Sequence, residues 1–185
     1  YTTRHGPGPF VTEDEILTSR LRDDHNGTND WQREFRVGYF DAIATRYAID
    51  VVGGVDMLVV SHLDRLPQEG PWKVCTSYQS DGDDVEIAKF FEVDEGLIRR
   101  IKVGRTDNLP YQQKLTELLG ACVAQYHALT EQGQCVEEYL SFLEKFLDVP
   151  IGLVSFGPTA SDKKWRRILP VGAMSLPVTD LLHGR

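Results

Sequence analysis

At 185 residues, with 41% hydrophobic and 26% charged side chains, the chain can build one domain with a substantial core, and disorder over most of its length is excluded. A formal net charge of -8 argues against a surface that tracks nucleic acid or anionic lipid, because such surfaces neutralise phosphates with Lys and Arg. Cys75, Cys122 and Cys135 are odd in number and contain no CxxC pair, and no apolar run nears the ~20 residues of a membrane span, so a reduced cytoplasmic protein without a membrane partner is expected.

In chain order, Arg4 to Val11 carries two Gly-Pro pairs and reads as an exposed loop. The chain opens directly on this loop, with no element before it to support it, and the expectation is a fragment of a longer protein. Thr12 then offers a capping oxygen to a short helix over Glu13 to Leu21. Arg22 to Asp30 is polar turn chemistry. Phe40 to Val51 places Phe40, Ile43, Ala44, Tyr47 and Val51 at helical spacing, and Gly53-Gly54 ends that helix.

Met57 to Val60 is a short apolar run, expected as a buried strand leading into a functional loop at Ser61 to Leu66. Trp72 to Tyr78 reads as the next strand, Asp81 to Asp84 as a hairpin-like turn, and Leu97 to Val103 as a further strand. Pro110 to Gln132 shows Leu115, Leu118, Leu119, Cys122 and Tyr126 near helical periodicity and predicts one long helix stopped by Gly133. Val136 to Leu147 predicts another, through Tyr139, Leu140, Leu143 and Phe146. Pro150 then introduces a strand over Ile151 to Phe156, followed by Gly157-Pro158. Alternating strands and helices predict an α/β fold, a mainly parallel sheet flanked by helices, with ligands gathered at the carboxyl ends of the strands. Residues 1–160 form the predicted folded region, and 161–185 an irregular tail.

Four segments, in this order, resemble the adenylosuccinate synthetase family. Tyr1-Thr-Thr-Arg-His-Gly-Pro-Gly-Pro-Phe-Val-Thr-Glu13 is similar to T-R-x-G-x-G-P-x-x-T-E, and Trp31-Gln-Arg-Glu-Phe-Arg-Val-Gly-Tyr-Phe-Asp41 to an arginine-rich stretch closing on G-W-L-D. Ser61-His-Leu-Asp64 resembles T-K-L-D, and Pro150-Ile-Gly-Leu-Val-Ser-Phe-Gly-Pro158 resembles V-P-I-x-x-x-S-x-G-P. Taken singly, the glycine-proline loop is more often a surface turn, and an Asp after a strand is more often a cap. Order and spacing give the four their weight.

The resemblance implies a partial synthetase-like, P-loop NTPase-related fold, with an extra helical stretch near 106–133. It also implies a GTP-dependent ligase of purine biosynthesis that joins L-aspartate to IMP. On the matching positions, His62, Asp64, Ser155, Gly157 and Pro158 would hold GTP, and Asp64 would accept two N–H donors from guanine. His62 stands where the family usually has lysine. His5, Gly6 and Arg33 would meet IMP, and Thr28, Asn29, Asp30, Arg33 and Arg36 would meet aspartate. The family's G-D-E-G-K-G loop, which cradles phosphate with Mg²⁺ as charge bridge, does not occur in this sequence, so no catalytic residue is assigned, Mg²⁺ would enter through a missing N-terminal half, and the expected protein partner is that half or a homodimer partner. The alternatives are a stand-alone nucleotide-binding module that has lost catalysis, or a ligase acting on another purine nucleotide.

Overall fold

The first helix starts two residues later than the sequence suggests, because Asp14 and not Thr12 caps it. In a computed structural model, which describes residues 8–21, 30, 35–66, 72–105, 107–129 and 135–166, Asp14 caps α1 (Glu15–Arg20) by accepting from the Leu17 amide at 2.8 Å. Thr12 is fully buried instead, and its backbone carbonyl accepts from the Tyr39 amide. The predicted turn at Arg22 to Asp30 lies outside the described residues except for Asp30, as do Gly133 and the chain after Arg166.

A two-strand-residue segment β1 (Phe40–Asp41) leads into α2 (Ala42–Val51), where Asp41 caps the helix through the Ala44 amide. Gly53 and Gly54 end it at φ 82° and 102°, a conformation open to glycine. The buried face is Ala42, Ile43 and Ile49, whereas Val51 faces solvent. Strand β2 (Leu58–Val60) forms as expected, but it is an edge strand with Val59 exposed and not a deeply buried one.

Strand β3 (Lys73–Gln79) follows. The Asp81 to Asp84 segment is not a hairpin turn. Asp83 accepts from the Glu86 amide and starts α3 (Asp84–Phe90), which runs directly into β4 (Phe91–Asp94). A tight turn with positive φ at Glu95 and Gly96 returns the chain as β5 (Leu97–Ile101).

The long helix predicted from Pro110 is two elements. Helix α4 (Leu109–Gly120), capped by Asn108 with Pro110 in its first turn, stops at Gly120, and β6 (Val123–Ala128) follows. Cys122 and Tyr126 continue the helical spacing, but pairing of β6 along the length of β3 overrides it. Helix α5 (Val136–Leu147) and strand β7 (Ile151–Ser155) form where the sequence places them, and β8 (Lys163–Trp165) adds a strand within the segment read as an irregular tail.

The elements make two sheets flanked by helices. The larger has β3 at its centre, with β6 antiparallel along one edge and β1 and β5 sharing the other, and β4 pairs outside β5. The smaller runs β2-β7-β8. The α/β layering is as expected, but parallel pairing is confined to β1–β3 and β2–β7, because β4–β5 is a hairpin and β6 returns antiparallel beside β3. Ile43, Tyr78, Ile87, Phe91, Ile98 and Leu115 fill the core of the larger sheet. Leu140, Leu143 and Leu147 of α5 pack with Trp72, Ile151 and Val154 under the smaller, and Phe146 touches both cores. Among the described residues no helix is long and apolar enough to cross a membrane.

Candidate nucleotide site

Strands β2 and β7 lie side by side and parallel, with Val60 opposite Val154. Their carboxyl ends therefore release two loops at one place: Ser61 to Leu66 and Ser155 to Lys163. This brings together all five residues that the resemblance implies as GTP contacts, although the whole stretch 67–154 separates the two loops in sequence. The rest of the sheet explains why the loops hold their shape.

In the first loop, His62 adopts the left-handed conformation at φ 62°, its Nδ1 2.9 Å from Ser61 Oγ, and its carbonyl accepts from the Arg65 amide. The single turn Leu63–Arg65 that follows buries Leu63 against the α5 core and leaves the Asp64 carboxylate about one-third exposed. One Asp64 oxygen sits 3.4 Å from Arg65 Nε. Leu63 is thus the anchor and Asp64 the presented group, with two oxygens available to planar donors.

In the second loop, buried Ser155 donates its hydroxyl to the Gly157 carbonyl at 2.8 Å. A Cβ on Gly157 would lie 2.7 Å from Asp162 Oδ2, so the glycine is required by the carboxylate folded beneath it. Asp162 accepts from both the amide and the hydroxyl of Thr159, at 2.8 and 2.6 Å, which holds its carboxyl below the usual carboxylate range. Lys163 Nζ donates to the Thr159 carbonyl at 2.7 Å, and Lys164 Nζ stands 5.2 Å over the Phe156 ring. Asp162 is not among the residues that the resemblance implies, though the spacing Thr159-x-x-Asp162 is that of a capping box.

Arg36 has a different setting. Its Nε donates to Glu13 at 2.8 Å, its Nη2 pairs with the other oxygen of the same carboxylate, and its Nη1 donates to the Gly8 carbonyl at 3.0 Å, with the guanidinium 5.3 Å over Phe10. The hydrogen bonds from Arg36 draw the Glu13 carboxyl below its ordinary range. Beside this pair, Glu13 bridges to Gly38, where a Cβ would come within 2.1 Å of the Thr12 carbonyl oxygen. The first and second motifs are thereby fastened to each other, and a ligand carboxylate reaching Arg36 would have to displace Glu13. Asp30 is exposed, and His5, Gly6, Thr28, Asn29 and Arg33 lie outside the described residues.

An open depression of about 860 Å³, lined by Arg46, Asp50, Gly54, Arg100 and Asp148, lies at the amino ends of β2 and β7, the end away from these loops. Its Arg100 fork is already paired with Asp50 at 2.9 and 2.8 Å. The presented carboxylate and the glycine-built loop make the carboxyl ends the better candidate. Among the described residues no three His, Cys, Asp or Glu side chains converge to hold a metal.

The family model described as adenylosuccinate synthetase matches residues 1–163. The chain belongs to the adenylosuccinate synthetase family. It is 36% identical over 160 residues to the adenylosuccinate synthetase of Synechococcus sp. strain WH7803, a match covering 85% of this chain and 34% of that relative. The protein of that name from Chlorobium luteolum is 31% identical over 170 residues, covering 90% of this chain and 36% of the relative. The chain thus spans about a third of the length of these family members. Its fold is similar to part of a fully ligated adenylosuccinate synthetase from Plasmodium falciparum, with a TM-score of 0.62 at 20% identity, over 90% of this chain and 38% of that one.

Proposed function

We propose that this chain supplies the guanine-reading part of a GTP-dependent ligase that joins L-aspartate to IMP. The observation that carries the reading is the meeting of Asp64 with the Ser155 to Pro158 loop at the carboxyl ends of a parallel strand pair. Ligands of α/β sheets gather at such ends. The two Asp64 oxygens can accept the two N–H groups that guanine presents on one edge, and adenine presents no such pair. Each charge-assisted bond contributes about 1.5–3 kcal/mol, enough to choose between the bases. Gly157, bare of a side chain, lets the loop backbone approach the flat of a base.

His62 gives this site a short imidazole where the family usually has lysine, so base selection rests more heavily on Asp64. IMP and aspartate would be met by the glycine-proline loop and the Arg33 region, and phosphate and Mg²⁺ by a part of the enzyme whose glycine-rich loop this sequence does not contain.

Asp64→Asn tests the base-reading role. The substitution turns one acceptor oxygen into a donor, and guanosine triphosphate affinity is expected to fall by about ten- to a hundredfold while adenosine triphosphate binding stays unchanged. Titration calorimetry with both nucleotides decides it: equal losses for the two would make Asp64 a structural residue and end the proposal.

A further inference from the structure

The loop that carries Gly157 is held by its own far end. Strand β7 pairs with β8 as far as Ser155 opposite Lys163, and Phe156 to Asp162 connects the two. The Phe156 amide closes this connection by donating to the Asp162 carbonyl at 3.0 Å. Its middle turns on the Asp162 side chain, whose Oδ2 accepts from the amide and the hydroxyl of Thr159 and fills the place a side chain on residue 157 would need.

Three consecutive carbonyls of the loop are also taken by side chains. Ser155 donates to that of Gly157 at 2.8 Å, and Lys163 Nζ donates to that of Thr159 at 2.7 Å and reaches that of Pro158 at 3.5 Å. Among the described residues the Gly157 amide has no protein acceptor, so the loop keeps one main-chain donor for a ligand. Thr159 and Lys163 are exposed and Asp162 is only partly covered. Polar contacts in such a setting add little to global stability. Their effect falls on the loop itself. A loop already ordered binds without the loss of freedom that ordering entails, and apparent affinity follows the fraction of molecules in the competent conformation.

We propose that Asp162 is the positioning residue of the guanine loop: together with Thr159 and Lys163 it presets the main chain of Ser155 to Pro158 for a guanine nucleotide. None of these three is among the residues that the resemblance assigns to GTP. Asp162 acts through Gly157 and not on the base. The inference rests on the guanine-reading role of this loop and adds to it the residue that shapes the loop before the nucleotide arrives.

Titration calorimetry of the full 185-residue chain with guanosine triphosphate tests it. Asp162→Ala and Thr159→Val should each lower the affinity by about tenfold, and Thr159→Ser, which keeps the hydroxyl, should stay within about twofold of the unsubstituted chain. The unfolding midpoint should hardly move in any of the three. Gly157→Ala should add little further loss in the Asp162→Ala background, because the methyl no longer meets a carboxylate. Without nucleotide, hydrogen exchange of the Phe156 and Thr159 amides should quicken in Asp162→Ala while β7 stays protected. Unchanged affinity in Asp162→Ala, equal losses in Thr159→Ser and Thr159→Val, or full additivity of Gly157→Ala with Asp162→Ala overturns the proposal. Asp64→Asn separates it from the reading beneath it. A loss there with none in Asp162→Ala ends this inference alone, and a chain that binds no guanosine triphosphate ends both.

Discussion

The two sheets solve the same problem with different completeness. The larger closes on itself: β3 has partners on both edges, α2, α3 and α4 contribute buried side chains, and Tyr78 hydrogen-bonds Asp41 inside its core at 2.7 Å. The smaller packs mainly on α5, with Ala42 and Ile49 of α2 in the same core, and among the described residues it leaves Val59 and Trp165 exposed and β2 with no strand partner but β7. The candidate nucleotide loops rise from the smaller sheet. A scaffold that is whole thus carries a site-bearing layer that is half covered, and local stability should differ between them.

The sharpest way to break the comparison is to weaken the contact of the smaller sheet with α5. Leu143 is fully buried on α5, and Leu143→Ala should cost about 2–5 kcal/mol, the range for truncating a core leucine. Hydrogen exchange should show the loss in β2 and β7 first, with β3 and β6 protected longer. Uniform loss across both sheets would mean that they unfold as one unit.

Glu144 should be next in effect. One of its oxygens accepts from the Ile151 amide at 2.7 Å, and the other lies 2.6 Å from Arg166 Nη1, close as an ion pair though not aligned as a hydrogen bond. Glu144→Gln keeps the shape and removes the charge beside a largely buried guanidinium. A loss of about 1–3 kcal/mol is expected in denaturant unfolding, and a change within experimental error would assign the clamp to packing alone.

Gly157→Ala should leave the larger sheet untouched. The new methyl meets the Asp162 carboxylate, which must leave Thr159 to make room. Guanine nucleotide affinity should fall by about tenfold with the unfolding midpoint nearly unchanged. Unaltered affinity would detach this loop from the site.

The smallest effect sharpens the comparison from the side of the larger sheet. Burial pushes the Asp41 carboxyl up, against the pull of the Ala44 amide and Tyr78 hydroxyl. A raised folded value means that the native state takes up the proton first. This contribution to stability therefore increases as pH falls from neutral through the raised value, and is complete once the unfolded carboxyl also protonates. Glu13, lowered by Arg36, has the opposite sign: its contribution is present above the ordinary glutamate range and is lost as pH falls through its folded value. Asp41→Asn should remove the first slope and keep the second in unfolding curves taken from about pH 7 to about pH 4. A pH-independent difference between the two proteins would show that Asp41 is not desolvated.

What could be read in advance follows from which signals are local. Helix α5 and strands β3, β5 and β7 were legible because their apolar periods are carried by consecutive residues and their ends by Pro150 or Gly157. Strand β6 was not, since Leu115, Leu118, Cys122 and Tyr126 keep helical spacing across a boundary that only the distant pairing with β3 decides. Helix α3 was hidden because Asp83, in a run that looks like turn chemistry, is a cap. At the site, the meeting of Asp64 with Ser155 was implied only by the family resemblance, because the pairing of β2 with β7 joins segments far apart in the sequence. Nothing local in the sequence announced that Arg36 is held by Glu13, 23 residues away.

Arg166 gives the smaller sheet a mechanical property. The chain passes from α5 through β7 and β8, and Arg166 then reaches back to Glu137 and Glu144 on that same helix. A tension applied beyond Trp165 would load this clamp before it could peel β8 from β7 one rung at a time. The strand pair could yield only after the contacts to Glu137 and Glu144, and the bond from the Arg166 amide to the Gly152 carbonyl, had been broken together.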